Sequence, residues 1–151
     1  MPLANYTTTV SAARTVAEIQ DILAKHGARE ILSNYSEDGI IESLSFIVAT
    51  PYGNMGIRLP VNPEAVLRVL ERQNVPRHLK TREQAVKIAW RIVKDWVRAQ
   101  MAILETEMVK LEQIFLPYAI VKDGKTLFES MVEQKFLLMR GESDVGSDSK
   151  D

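Results

Sequence analysis

One uninterrupted stretch decides the architecture of this chain: TREQAVKIAWRIVKDWVRAQMAILETEMVKLEQIF (Thr81–Phe115). It contains neither glycine nor proline and is rich in Ala, Leu, Met, Lys, Arg, Gln and Glu, which favour helices. Thr81 can cap the first turn, and Gln84 can return the bond three residues later, as in a capping box. Pro117 lacks a backbone N–H and is expected to end the run. The stretch therefore predicts one long helix from Thr81 to Phe115.

The apolar side chains of this predicted helix cover roughly half of its circumference or more, which is wider than the stripe of an ordinary surface helix. At helical spacing the arc contains Ala85, Ala89, Ile92, Val93, Trp96, Val97, Ile103, Leu104, Leu111, Ile114 and Phe115, with Trp90, Met101 and Met108 at its margin. Such a helix is expected to pack against a sheet and against a second surface, which is either another helix of the chain or a partner.

A narrow charged stripe lies opposite the apolar arc. In order along the helix it carries Lys80, Lys87, Arg91, Lys94, Arg98, Glu105 and Glu112. The helix dipole favours the opposite order of charge, so helix stability does not explain the pattern. Three interpretations remain open: a solvated face, a site for nucleic-acid phosphates, and antiparallel pairing of two copies. In the paired arrangement Lys87 would meet Glu112, and Lys94 would meet Glu105.

The overall composition is that of one globular domain, with 151 residues, of which 46% are hydrophobic and 26% charged. A net charge of −1 gives no global attraction to nucleic acids or anionic membranes. The positive charges are nevertheless concentrated in one segment: from Arg68 to Arg98 the sequence contains nine Lys and Arg residues but three acids. The absence of cysteine excludes disulfides, thiol catalysis and thiolate metal sites.

No segment of the sequence predicts contact with a membrane. The residues that follow Met1 show neither the basic region nor the apolar region of a signal peptide. No apolar run approaches the roughly 20 residues that a membrane-spanning helix needs. We therefore expect a cytoplasmic protein.

The rest of the chain predicts short elements around the long helix. These are a strand at Tyr6–Val10, a helix capped at Thr15 and ending at Gly27, a meander of Arg29–Tyr35, Ile40–Ala49 and Met55–Leu59, and helices starting near Asn62 and Thr126. The predicted order is β-α-β-β-β-α-α-α. It indicates a two-layer α+β domain over residues 1–140, in which a small antiparallel meander packs against the long helix and Phe136–Met139 packs back onto the core. The acidic segment 141–151, rich in Gly and Ser, is predicted to be disordered.

The sequence nominates no catalytic residue, cofactor or metal. Gly124-Lys125-Thr126 looks like the end of a phosphate-binding P-loop, but Ala119 occupies the place of the first glycine. The two histidines, His26 and His78, have no further ligand at helix-face spacing, so a zinc site is not expected. We therefore predict a protein that is not an enzyme.

Several segments together resemble a family of small uncharacterised proteins encoded by bacteriophages and mobile elements. They are Tyr6–Ser11, Phe46–Pro60, Thr81–Ala85, Ala89–Trp96 and Leu116–Tyr118. The resemblance brings no activity, cofactor or catalytic residue with it. It implies a bacterial or phage cytoplasm and an accessory role in phage DNA metabolism or host takeover.

Two functional hypotheses follow. In the first, the chain binds phosphates of single-stranded nucleic acid through Arg77, Lys80, Lys87, Arg91, Lys94 and Arg98, with Tyr52 as an exposed aromatic on which a base could stack. In the second, the long helix makes the chain a protein-interaction or self-assembling module. Such a module could pair as a homodimer, inhibit a host or phage protein, or sequester a nucleotide.

Overall fold

A computed structural model describes residues 1–134 of the chain, which form an α+β fold with a three-stranded antiparallel sheet and five α-helices. In chain order the elements are α1 (Ala12–Lys25), β1 (Glu30–Tyr35), β2 (Ile41–Thr50), β3 (Gly53–Arg58), α2 (Pro63–Arg72), α3 (Arg82–Glu105), α4 (Leu111–Phe115) and α5 (Leu127–Glu133). The predicted packing of Phe136–Met139 and the predicted disorder of 141–151 lie outside the described residues.

The predicted meander is confirmed, with β2 in the middle of the sheet. Phe46 pairs with Ile31 of β1 on one side and with Ile57 of β3 on the other. The far edge of β3 is covered, because the Ile120 N–H donates to the Gly56 carbonyl at 2.7 Å. Within residues 1–134, the outer edge of β1 has no strand partner.

The main core lies between the sheet and two helices, α1 and α3. It joins Val16, Ile19 and Leu23 of α1, five residues of β2 and β3, and Val86, Trp90, Val93, Val97 and Met101 of α3. A smaller cluster joins α3 to α2 and the loop between them, through Leu70, Val75, Ala85 and Ile88. The wide apolar arc of α3 is thus covered on both sides by this chain, and α2 supplies part of the second surface that the arc required.

The prediction of one helix from Thr81 to Phe115 is wrong, because α3 ends at Glu105. Glu107 adopts the left-handed conformation, with φ of 61°, and the helical path resumes only at α4. A straight helix would carry Phe115 about 15 Å beyond Glu105. The break instead returns Phe115 to the core, where it is fully buried and its ring meets those of Phe46 and Trp96 edge-on at 5.6 and 5.7 Å.

The predicted first strand, Tyr6–Val10, is also wrong. The chain turns at Asn5, whose φ is 63°, and then runs across α3 without joining the sheet. The side-chain amide of Gln84 donates to the carbonyls of Tyr6 and Thr8 at 3.0 and 2.9 Å. A side chain of α3 therefore replaces the strand partner that the β-branched composition of this segment suggested.

The predicted caps at Thr81 and Thr126 are present, but the Gln84 side chain donates to the carbonyls of Tyr6 and Thr8 instead of returning the bond to Thr81. Thr81 accepts from the Gln84 N–H, and Thr126 forms a reciprocal capping box with Glu129. The cap predicted at Thr15 is wrong, since α1 begins earlier and Ser11 caps it by accepting from the Arg14 N–H. Thr15 lies instead inside α1 and is fully buried.

Candidate functional site

The basic half of the charged stripe faces α1 rather than open solvent at its centre. Arg91 Nη1 lies 2.7 Å from Glu18 Oε2, and Lys94 Nζ lies 3.3 Å from the same oxygen. The side chains of Arg91 and Lys94 are only 18% and 12% exposed. The two central residues of the predicted phosphate-binding stripe thus direct their charges to a carboxylate of the neighbouring helix.

Glu18 stays ionised in this setting. Partial burial alone would raise the pKa of its carboxyl group, but the hydrogen bonds and positive charges of Arg91 and Lys94 outweigh that effect and lower the pKa below its ordinary value. Arg14, one turn earlier on α1, lies 3.6 Å from the other Glu18 oxygen. One carboxylate therefore serves three cations, and the cluster keeps a positive excess.

The other predicted phosphate-binding residues have no ion-pair partner among the residues that the structure describes. They are Arg77, Lys80, Lys87 and Arg98, of which the two arginines are exposed and the two lysines are partly buried. Arg68 and Arg72 on α2 are exposed and equally unpaired, whereas Arg82 pairs with Glu64. The structure thus divides the predicted site into two cations that pair with Glu18 and a set of cations that have no ion-pair partner within positions 1–134.

Glu18 is the residue of this site that sequence reasoning missed. Nothing local in the sequence indicated that α1 would lie along the stripe of α3. The available signal was the presence of Arg14 and Glu18 one turn apart on a helix that also presents an apolar face.

Glu105, from the acidic half of the stripe, is also engaged within the chain. His26 Nε2 lies 3.0 Å from Glu105 Oε1, and His26 Nδ1 lies 2.7 Å from the carbonyl of Ile22. Both partners are acceptors, so the two hydrogen bonds form together only when both ring nitrogens carry protons. The hydrogen bond to Glu105 and then that to Ile22 raise the pKa of His26 above 6.5. The break after α3 removes Glu112 from the line of the stripe, so the straight geometry on which antiparallel pairing depended is not present.

The aromatic side chains differ in their access to solvent. Tyr52, at the turn between β2 and β3, is 87% exposed, as the sequence suggested. Trp90 is fully buried, and the partly buried Trp96 packs edge-on against Phe115 and Tyr118. Of these side chains, only that of Tyr52 offers an open face for stacking.

A groove of about 400 Å³ opens beside the start of α3. Its walls come from the first half of α1, from Tyr35 and the turn between β1 and β2, and from Glu83, Val86 and Lys87 of α3. A second depression, lined also by Pro63 and Arg82, shares Ile40, Ile41 and Val86 with it. Lys87 is therefore a wall residue of a largely apolar groove as well as a member of the charged stripe.

A search for metal-binding clusters and comparisons with known proteins assign no further role to these residues. No group of three or more His, Asp or Glu residues suited to a metal ion occurs within positions 1–134. No helix in the same range is long and apolar enough to cross a membrane. Comparison of the chain with family models, curated proteins and solved structures finds no match.

Proposed function

We propose that this chain is a non-enzymatic, cytoplasmic accessory protein of a bacteriophage or mobile element that binds phosphate groups of single-stranded nucleic acid. The observation that carries the proposal is a set of cations at the end of α2 and in the loop before α3 that have no ion-pair partner within positions 1–134. We call this set the basic rim; it consists of Arg68, Arg72, Arg77 and Lys80.

The four rim residues lie close together in the sequence, in a stretch that is poor in acids. Arg68 and Arg72 are one turn apart and share a face of α2. Arg77 opens a short 3-10 turn directly after Pro76, and Lys80 ends it. Between Arg68 and Lys80 the only acid is Glu71. Cations held without carboxylate partners are free to displace the counterions of a phosphate backbone.

The residues proposed from the stripe fall into two roles. Lys87 and Arg98 have no carboxylate partner among the described residues and extend the set of available cations along α3. Arg91 and Lys94 support the site by holding α1 against α3 through Glu18. Tyr52 supplies an exposed ring on which a base can stack.

The test is binding of labelled single-stranded DNA and RNA to the full chain. The rim variant changes Arg68, Arg72, Arg77 and Lys80 to Gln. The control variant changes the same number of exposed cations elsewhere to Gln, namely Lys25, Arg29, Lys110 and Lys122. If four phosphate contacts form, affinity falls about 50-fold between about 50 and 200 mM salt, at a slope of about −0.7 per contact.

Loss of binding in the rim variant with retention in the control supports the proposal. An equal loss in both variants means that binding follows net charge alone, and no binding of the unaltered chain at low salt removes the proposal altogether.

The alternative is a protein-interaction or self-assembling module, which includes an inhibitor of a host protein. The apolar arc of α3 does not favour it, because the arc is buried within the chain. The open edge of β1 does, since Leu32 and Tyr35 are each 61% exposed there and an unpaired edge can accept a further strand. Sedimentation of the unaltered chain and of Leu32→Lys tests it: an assembly that Leu32→Lys dissociates favours the alternative.

A further inference from the structure

We infer that the groove beside Lys87 binds a planar heteroaromatic small molecule of nucleoside size. The volume of about 400 Å³ falls within the range of small-molecule sites. The inference goes beyond phosphate binding at the basic rim and does not rest on it, because the proposed ligand needs no phosphate group.

Small side chains on α1 keep the groove open. Ala13 and Ala17 line it one turn apart and are both exposed, so at these two positions no side-chain atom beyond a Cβ occupies the groove. The deeper wall is formed by Val16, Ile41 and Val86, which are buried members of the main core. The groove thus has a firm apolar base that belongs to the core of the fold.

Apolar side chains also stand at the mouth of the groove. Tyr35 is 61% and Ile40 is 42% exposed, although both line it. A ligand seated between them would remove this apolar surface from water, which is favourable. The Tyr35 ring offers a flat partner for an aromatic ligand.

The polar groups of the groove match a ligand edge that both donates and accepts hydrogen bonds. Lys87 and Glu83 lie one turn apart on α3, and neither has an ion-pair partner in the described part of the chain. Gln20 Nε2 donates to Ser33 Oγ at 3.2 Å, which leaves the Gln20 carbonyl oxygen as an acceptor.

This set of groups disfavours an aliphatic carboxylate such as a fatty acid. Lys87 would attract the carboxylate, but Glu83 at the same wall would repel it. The edge of a neutral nucleobase carries donors and acceptors together, so it can use the lysine, the glutamate and the amide oxygen at once. The groove therefore fits a heteroaromatic ligand better than a simple amphipathic anion.

The test titrates the full ¹⁵N-labelled chain with adenosine, guanosine, cytidine and uridine, and separately with decanoate as the aliphatic comparison. Amide shifts at Ala13, Ala17 and Val86 report the groove. Ala17→Leu fills it, and Ala24→Leu places the same side chain on an exposed position of α1 outside it. We expect saturable nucleoside binding that Ala17→Leu weakens roughly tenfold or more, because a side chain there occupies the ligand's volume, and that Ala24→Leu preserves.

Binding of decanoate without any nucleoside would overturn the ligand class. Equal nucleoside binding in Ala17→Leu and Ala24→Leu would overturn the location, and no nucleoside binding would overturn the inference as a whole. The rim variant should bind the nucleoside normally, so a failure of phosphate binding and a failure of this inference are separable. Thermal unfolding of both leucine variants checks that each is folded.

Discussion

Glu18 of α1 and Arg91 of α3 are joined by a hydrogen-bonded ion pair of 2.7 Å, and the same carboxylate oxygen also holds Lys94. These ion pairs join two helices that are far apart in sequence, and none of the three interpretations of the charged stripe from the sequence included them. The pair decides which cations of α3 are available to a ligand.

Glu18→Gln should release Arg91 and Lys94. We expect a lower midpoint of thermal unfolding and, if the chain binds nucleic-acid phosphates, tighter binding at low salt. Glu37→Gln, in the exposed turn between β1 and β2, makes the same change of charge and is the control. Unfolding curves and salt titrations measure both effects; identical behaviour of the two variants would contradict the role assigned to Glu18.

The lowered pKa of the Glu18 carboxyl group predicts that the stability of the fold falls in acid. Because the pKa of Glu18 is lowered in the folded chain, its stabilisation is present above its ordinary pKa of 4.5 and is lost as pH falls through the lowered folded value. Glu18→Gln should remove this part of the acid sensitivity. Urea unfolding between pH 3 and pH 7 measures it, and parallel pH profiles of the unaltered chain and the variant would refute it.

The hydrogen bond between His26 and Glu105 predicts that the stability of the fold also changes at higher pH. The pKa of His26 is raised by the hydrogen bond to Glu105 and then by that to Ile22, so the protonated imidazole stabilises the fold. This stabilisation is fully present below pH 6.5 and is lost as pH rises through the raised folded value. His26→Gln should lower stability by about 0.5–1 kcal/mol at pH 6 and by less at pH 9. His78→Gln, in the exposed loop before α3, removes the other histidine of the chain and is the control.

Phe115 is expected to be the residue that fixes the break after α3. Phe115→Ala should lower the free energy of unfolding by about 3–5 kcal/mol, as for other fully buried phenylalanines. Leu116→Ala, the adjacent and 48% exposed position, should change it by no more than about 0.5 kcal/mol. Chemical denaturation distinguishes the two, and similar small losses would mean that α4 is not anchored through this ring.

Gln84 should hold the segment Tyr6–Val10 in place. Gln84→Leu removes two hydrogen bonds from a buried amide and should lower stability by about 1–3 kcal/mol. Amide hydrogen exchange in the segment should rise well before exchange in the sheet. Gln100→Leu on the same helix, where no hydrogen bond of the side chain is found within positions 1–134, is the control.

The parts of the fold that the sequence predicts are those set by neighbouring residues. Caps at Asn62, Thr81 and Thr126 and the meander depend on side chains within a few positions of one another. The end of α3 depends on where Phe115 can be buried. Residues Thr106 to Lys110 contain no glycine or proline, so no helix-breaking residue predicts this end.

In the candidate phosphate-binding site, too, local spacing is predictable from the sequence and long-range packing is not. Helical spacing correctly groups Lys87, Arg91 and Lys94 on one side of α3, but it carries no information about what lies over that side. α1 covers it in part, and Glu18 then separates engaged from available cations. Long-range packing, rather than periodicity, thus selects the residues left for a ligand.

The hydrogen bonds from Gln84 to Tyr6 and Thr8 join residues 78 and 76 positions apart. During synthesis, Tyr6 and Thr8 are made long before Gln84. Their carbonyl groups therefore lack the Gln84 side-chain donor while the strands of the sheet are being synthesised. We expect the attachment of the segment Tyr6–Val10 to follow the synthesis of α3, since Gln84 must be present before these hydrogen bonds can form. A nascent chain halted before Gln84 would therefore expose these residues to proteases, whereas release of the next helix would hide them.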